Sequence, residues 1–134
     1  MTTEVPPKAL LKKNGILPDH GIIVDGSGLS RENRTSAKGL TKLLRFMNKN
    51  KNREVFRNSL AISGLTGTIK DKFAAQELTG RIHAKSGTLD DALTLSGFVE
   101  TEKGEAVFSF LANHVEDKKK IWKLYEEILL CLMK

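Results

Sequence analysis

The chain has 134 residues, of which 40% are hydrophobic and 28% charged, a composition typical of one modest globular domain. No apolar run approaches the roughly 20 residues that span a bilayer, and the opening "MTTEVPPKALLKKNG" lacks the apolar stretch of a secretory signal. The single cysteine, Cys131, excludes an intrachain disulfide and is expected to be a small buried side chain. Because His20, His83 and His114 are scattered, we expect no metal site, and nothing suggests an organic cofactor.

The net charge of +6 and the pI of about 9.5 raise the question of an anionic partner such as nucleic acid. The basic residues are spread along the chain, however, and the densest run is only Lys118 to Lys120. Aromatic residues make up 6% of the sequence, so platforms for base stacking are scarce. Composition alone therefore does not favour a nucleic-acid-binding role.

The first half of the chain predicts helices with one short strand. "PKALLKKNG" is typical of a short helix that Gly15 closes, and Ile22 to Val24 predict a strand that runs into a tight loop. Helical spacing of apolar residues in "TSAKGLTKLLRFMNKN" predicts a helix capped by Thr35 or Ser36. "REVFRNSLAISG" predicts a second helix that stops near Gly64.

The second half changes character at residue 80. "RIHAKSGTL", "ALTLSGFVET" and "EAVFSFLANH" are strand candidates, and a tight turn at residues 102–104 joins the last two. We therefore expect an antiparallel three-stranded meander over residues 80–114. "EDKKKIWKLYEEILLCLMK" predicts a C-terminal helix whose apolar stripe covers the sheet. The stripe consists of Ile121, Leu124, Tyr125, Ile128, Leu129 and Leu132.

Lys85, Ser86 and Gly87 form a Lys-[Ser/Thr]-Gly box within a predicted strand. Such a box is one of three that define penicillin-recognising serine acyltransferases. In that chemistry the ammonium lies beside the nucleophile and the terminal carboxylate of the substrate, the hydroxyl binds that carboxylate, and glycine lets substrate lie close. The N–H of Thr88 then serves as an oxyanion-hole donor, and the substrate adds to the sheet as one more strand.

A second stretch, "VDGSGLSRENRTSAKGLTKLL", is more specific. Together with "SGLTGTIKDKF", the Lys-Ser-Gly box and a strand with Ser96-Gly97-Phe98, it resembles the low-molecular-mass class C penicillin-binding proteins. These are D-alanyl-D-alanine carboxypeptidases and endopeptidases, and the resemblance covers roughly residues 8 to 115. It implies an α/β (α+β) fold of the serine β-lactamase/transpeptidase type, an antiparallel sheet flanked by helices.

The other two boxes of the family are missing from this sequence. No serine has a lysine three residues later, no Ser-x-Asn occurs, and the nearest imitation, residues 35–38, lies at a helix start. In the family both boxes precede the Asp25–Arg31 segment, so we expect residues 1–134 to correspond to the C-terminal part of such a domain. In that part, residues 1–79 form the loop and helical region, and residues 80–134 form the meander and last helix. We therefore assign no catalytic residue, and we expect Lys85, Ser86, Gly87 and Thr88 to bind substrate.

The remaining polar residues have plainer explanations. In the Asp25–Arg31 segment we expect Asp25 and the glycines to shape a loop, and Arg31 to pair with an acid, although the loop could also support the wall of a cleft. By strand alternation His83 shares a face with Lys85, and we expect a partly satisfied surface histidine there. Asp90-Asp91 are expected to be solvated, to cap the turn, or to pair with Lys85 or Arg81.

Three functional hypotheses remain open at this stage. By resemblance the chain belongs to a D-alanyl-D-alanine carboxypeptidase that acts on peptidoglycan stem peptides and binds β-lactams. On this hypothesis the chain is inactive alone, and it either pairs with a complementing N-terminal half or self-associates through apolar surface left uncovered. It could instead be a non-catalytic module that binds peptidoglycan peptides or a partner, or a basic nucleic-acid-binding domain. The family acts in the cell envelope or periplasm, whereas the missing signal would allow a cytoplasmic location.

Overall fold

The structure, a computed structural model, describes residues 6–17 and 20–134. Four helices are present in these ranges: α1 (Pro6–Lys13), α2 (Ala37–Asn48), α3 (Arg53–Asn58) and α4 (Lys118–Leu132). Four strands accompany them: β1 (Ala61–Ile62), β2 (Ile82–Thr88), β3 (Ala92–Thr101) and β4 (Gly104–Asn113). Two single 3-10 turns, Gly67–Ile69 and Gln76–Leu78, lie in the segment between β1 and β2. None of the helices in the described ranges is long and apolar enough to cross a membrane.

The four strands form one antiparallel sheet in the order β1-β2-β3-β4. Strands β2, β3 and β4 form the meander that the alternating pattern predicts, with Lys85 opposite Ser96 and Ser96 opposite Ser109. Strand β4 pairs only with β3, so its other edge carries no strand within the described ranges. The sheet therefore ends in a ten-residue edge on one side and in the two-residue β1 on the other.

Two sequence predictions in the first half are wrong. Ile22 to Val24 do not form a strand, because only an isolated bridge between Ile22 and Arg34 is made. The helix predicted from Arg53 to near Gly64 ends at Asn58, and Ala61–Ile62 instead pair with β2 as β1. The apolar "LAI" is compatible with both states over so few residues, and pairing with an existing strand decides the outcome.

The predicted cap of α2 and the predicted end of α1 are confirmed, and α4 has a capping residue as well. Ser36 caps α2, accepting a hydrogen bond from the Gly39 N–H at 3.0 Å. Gly15 follows α1 with a φ of 62°, a left-handed conformation that favours glycine. Asp117 caps α4, its carboxylate accepting from the Lys119 and Lys120 N–H groups at 2.9 and 3.3 Å.

Helix α4 covers one face of the sheet, here called the α4 face, and α2 and α3 cover the other, the α2 face. The main core lies on the α4 face. Its buried members include Ile82, Ala84, Leu93, Leu95, Val99, Phe108, Tyr125 and Leu129. On the α2 face, the ring of Phe98 meets that of Phe56 edge-on at 6.4 Å.

The apolar stripe of α4 is narrower than predicted. Tyr125, Leu129 and Met133 are buried, whereas Leu124 and Leu132 are 47% and 44% exposed. Cys131 is exposed, contrary to the expectation of a buried thiol. The reason is helix geometry, because two residues correspond to about 200° of rotation and place Cys131 opposite the buried Leu129.

Candidate functional site

The Lys-Ser-Gly box lies on a strand that becomes a sheet edge at that point. Strand β1 pairs only with His83 and Ala84, so from Lys85 to Thr88 the strand β2 has a neighbour on one side only, β3, within the described ranges. Lys85 is therefore part of an edge strand, which lets its ammonium group stay exposed.

The backbone groups that face this open edge follow from the hydrogen bonds at the start of β2. The carbonyl of Arg81 accepts from Glu100 of β3, whereas the carbonyl of Ile82 accepts from Ser63 on the β1 side. In an antiparallel ladder this direction alternates from one residue to the next. The N–H and C=O groups of Ser86 and Thr88 therefore face the open edge, where an extended peptide can pair with them.

The cavity at this edge measures about 620 Å³, which lies within the usual range for ligand-binding clefts. All four residues from Lys85 to Thr88 line this cleft. Ser27, Gly28 and Leu29 of the glycine-rich loop line it too, together with Thr68, Lys72 and Trp122. The cleft wraps around the end of the sheet, and for that reason Lys85 from the α2 face and Ser86 from the α4 face both reach it.

Lys85 and Ser86 make different contacts within the cleft. The Lys85 side chain is exposed, and its ammonium donates a hydrogen bond to the Ser86 carbonyl. Ser86 is buried, with 8% of its surface exposed, and its Oγ lies 2.6 Å from Oγ1 of Thr68. The ammonium is thus held against the open edge, while the serine hydroxyl already has one partner.

Gly87 has a different neighbour from the one its sequence suggests. A Cβ added at this glycine would lie 2.6 Å from Oγ1 of Thr94 on β3. The missing side chain thus makes room for the threonine hydroxyl of the neighbouring strand. Whether substrate also lies against Gly87 remains a prediction.

The glycine-rich loop is organised around one carboxylate. Asp25 accepts hydrogen bonds from the Gly28 N–H at 3.1 Å, the Ser30 N–H at 3.0 Å and the Ser27 hydroxyl at 2.8 Å. Asn33 donates to the same carboxylate at 2.8 Å. The hydrogen bonds from Asn33 and Ser27 do most to lower the pKa of Asp25 to about 2. The expected loop-shaping role of Asp25 is confirmed, and the loop also reaches the cleft wall.

Arg31 ties this loop to the turn that follows β2. Its guanidinium lies 3.1 Å from a carboxylate oxygen of Asp90 and 3.1 Å from one of Asp91. The predicted pairing of Arg31 with an acid is therefore confirmed. The suggested pairing of Asp90-Asp91 with Lys85 or Arg81 is wrong, because these side chains extend toward Arg31 instead. The guanidinium lowers the pKa of Asp91 below its ordinary value.

His83 does not line the cleft, although it shares a sheet face with Lys85. It lies near Arg57, and its Nδ1 is buried and finds no hydrogen-bond partner among the residues that the structure describes. Burial, followed by the positive charge of Arg57, lowers the pKa of His83. Arg57 is itself paired with Glu105 at 2.7 Å. Within the part of the chain that the structure describes, no three His, Cys, Asp or Glu side chains group as a metal site.

Sequence reasoning missed the second wall of the cleft. Thr68 comes from a 3-10 turn, and Trp122 comes from α4, where it lies outside the predicted apolar stripe. Phe73 meets the Trp122 ring edge-on at 5.9 Å, and the Lys72 ammonium lies 5.6 Å from its centroid. The only sequence signal was the glycine-threonine segment, whose place beside the box depends on tertiary packing.

An antiparallel sheet flanked by helices, with a cleft at its open edge, is the arrangement of the penicillin-binding, transpeptidase-like fold. The chain matches the profile of the D-Ala-D-Ala carboxypeptidase 3 (S13) family over residues 5–128. It therefore belongs to that family, and the resemblance drawn from the sequence motifs is confirmed. The architecture expected from it, an antiparallel sheet flanked by helices, is confirmed as well.

Among curated proteins, the chain is 33% identical over 102 residues to the D-alanyl-D-alanine carboxypeptidase DacB of Haemophilus influenzae, covering 75% of this chain and 21% of that protein. It is 31% identical over 97 residues to a D-alanyl-D-alanine carboxypeptidase of Actinomadura sp., covering 69% and 18%. The chain thus spans about a fifth of the length of these relatives.

Solved structures give the same answer for the fold. Penicillin binding protein 4 (dacB) from H. influenzae, complexed with a novel β-lactam, superimposes with a TM-score of 0.83 at 27% identity, covering 95% of this chain and 32% of that one. A predatory endopeptidase from Bdellovibrio bacteriovorus, in complex with an immunity protein, matches with a TM-score of 0.75 at 19% identity, covering 92% and 36%. At that identity the second match supports the fold alone.

Proposed function

We propose that this chain supplies the substrate-binding wall of a serine-type D-alanyl-D-alanine carboxypeptidase that hydrolyses peptidoglycan stem peptides in the bacterial cell envelope. The observation that carries the proposal is the open edge from Lys85 to Thr88, which faces a 620 Å³ cleft shared with the glycine-rich loop. The family match over residues 5–128 supports the same reading. A non-catalytic binding module and a nucleic-acid-binding domain are not favoured by any comparison.

In this proposal each residue has a defined task. The Lys85 ammonium attracts the terminal carboxylate of the peptide, and the Ser86 hydroxyl donates a hydrogen bond to it. The N–H of Thr88 faces the open edge, where it can donate to the carbonyl oxygen that becomes negative during acyl transfer. Gly87 has no side chain, so the substrate can lie close to the strand between these groups. The attacking serine belongs to a Ser-x-x-Lys box, which this sequence lacks.

Binding of a short peptide ending in D-Ala-D-Ala tests the proposal on this chain. Titration of the 15N-labelled chain with this peptide should shift the amide signals of Lys85 to Thr88 saturably. The affinity should be weak, in the millimolar range, because the sequence lacks the residues of the Ser-x-x-Lys box. A C-terminally amidated peptide should bind more weakly, because it lacks the carboxylate. Lys85→Ala should abolish the difference between the two peptides, whereas the matched variant Lys103→Ala, in the β3–β4 turn, should retain it.

Mass spectrometry after incubation with penicillin tests the second part. We expect no covalent adduct, because no serine of this sequence stands in a Ser-x-x-Lys box. A stoichiometric adduct would overturn the account of where the nucleophile lies. Equal binding of acid and amide peptides by the unmodified chain would overturn the assignment of the carboxylate site itself.

A further inference from the structure

The 3-10 turn Gly67–Ile69 holds Thr68 in a fixed place beside β2. Ile69 is fully buried in the core and anchors the turn from one side. Gly67 has a φ of 65°, and a Cβ added there would lie 2.7 Å from Cβ of Ala61 on β1. The turn is therefore packed directly against the first two strands, and Thr68 sits at the cleft because its neighbours are fixed.

The Thr68 and Ser86 hydroxyls form a hydrogen-bonded pair that can still donate one proton to a ligand. Their oxygens are 2.6 Å apart, so one hydroxyl donates its proton to the other. Each hydroxyl has one proton, and the pair therefore has one proton left for a third group. A carboxylate only accepts hydrogen bonds, so it can use that remaining proton.

The direction of the hydrogen bond between Thr68 and Ser86 decides which hydroxyl can donate to the substrate. If Thr68 donates to Ser86, the Ser86 proton is free to point into the cleft, and the two bonds form a chain from Thr68 through Ser86 to the carboxylate. Hydrogen bonds in such a chain polarise one another, which strengthens the last of them. A lone Ser86 hydroxyl would have to give up its rotational freedom when substrate binds.

We infer that Thr68 is a positioning residue that orients the Ser86 hydroxyl toward the terminal carboxylate of the substrate. This inference rests on the proposed function, because it needs a carboxylate in the cleft. Thr68 acts through Ser86, and its effect is therefore largest for ligands that carry the carboxylate, the strongest acceptor.

A set of four variants tests the inference by peptide titration. Thr68→Val keeps the shape and removes the hydroxyl, so the affinity for the D-Ala-D-Ala acid should fall about 2- to 12-fold, the range for one net hydrogen bond. The affinity for the amidated peptide should fall less, because its neutral amide oxygen is a weaker acceptor than a carboxylate. Thr68→Ser keeps a hydroxyl and should restore binding. Thr41→Val on α2, whose hydroxyl donates to the Lys38 carbonyl at 3.0 Å, is the matched control and should bind like the unmodified chain.

A double-mutant cycle separates positioning from a general structural effect. In the Ser86→Ala background, Thr68→Val should cause no further loss, because its only route to the carboxylate is gone. Urea unfolding of each variant reports whether the fold survives. A further loss in that background, or an equal loss for the amidated peptide, would refute the positioning role.

The two proposals fail in different ways. If the unmodified chain does not distinguish acid from amide, the proposed function fails before Thr68 is considered. If the unmodified chain and Lys85→Ala behave as expected but Thr68→Val binds the acid normally, only the role of Thr68 is wrong.

Discussion

Replacing Gly97 with alanine should loosen the sheet at the strand pair that carries the site. Gly97 of β3 lies opposite Ala84 of β2, one position before Lys85. Because the backbone groups of Ala84 face β1, this pair is a non-hydrogen-bonded one, in which the two strands approach most closely. A Cβ added at Gly97 would lie 2.1 Å from the His83 carbonyl oxygen and 2.6 Å from Cα of Ala84.

The size of the effect follows from these distances. Ordinary contact begins at 3.4 Å, so the strands must separate locally by about 1.3 Å, and both obstacles are backbone atoms that cannot rotate away. Such a separation stretches the nearer hydrogen bond of each flanking pair, His83–Phe98 and Lys85–Ser96, well beyond 3.5 Å. Overpacking costs about 1–3 kcal/mol, and two weakened hydrogen bonds cost about 0.5–1.5 kcal/mol each. We therefore expect a loss of about 2–6 kcal/mol in the free energy of unfolding.

Urea denaturation followed by the fluorescence of Trp122, the single tryptophan, measures this loss. Gly26→Ala is the matched control, because a Cβ there meets nothing within 4 Å, and its effect should stay within about 0.5 kcal/mol. A Gly97→Ala variant with a midpoint equal to that of the control would show that β2 and β3 separate at no cost, which contradicts the reasoning.

Three further predictions concern titration and the core. The pKa of the Asp25 carboxyl is lowered to about 2, so the carboxylate should order the loop fully above pH 4 and lose this effect as the pH falls through 2. The amide NMR shifts of Gly28 and Ser30 should change with that midpoint, and a midpoint near 4 would refute the prediction. The pKa of His83 is lowered in the folded protein, so the unfolded chain binds the proton more readily. The free energy of unfolding should therefore fall as the pH drops below 6.5, and a His83 pKa above 6.5 measured by NMR would contradict this. Tyr125→Phe removes the 2.8 Å hydrogen bond that the phenol donates to the Leu93 carbonyl, which also faces Ala112 of β4, and should cost about 0.5–1.5 kcal/mol in urea unfolding; an unchanged midpoint would contradict this.

The sequence predicts the meander and its last helix well because their signals are local. Alternation over seven to ten residues defines β2 to β4, and Asp117 marks the start of α4. The same local reasoning fails at Ala61–Ile62, a strand of two residues that exists only because β2 lies beside it.

The candidate site divides in the same way. Lys85 and its neighbours were identified from a motif, and the loop-shaping role of Asp25 from its glycines. Thr68 and Trp122 were missed because they lie 17 and 37 positions from Lys85 in the sequence and reach the cleft only after the chain folds. The pairing of Arg31 with Asp90-Asp91 likewise joins segments about 60 positions apart, which no periodicity reveals.

The outer edge of β4 has a consequence for how this polypeptide behaves in solution. Alternate residues of this ten-residue strand, five in all, direct amide and carbonyl groups outward, where the described part of the chain provides no partner strand. Glu105 is the one charged residue of the strand, which contains neither lysine nor proline. Edge strands of natural sheets often carry lysine or proline, which hinder pairing with another chain. When the β4 strands of two copies pair in antiparallel orientation, Glu105 of each copy lies near the uncharged C-terminal end of the other β4 strand. Sedimentation at rising concentration should therefore reveal a growing population of paired chains, joined into a continuous eight-stranded sheet.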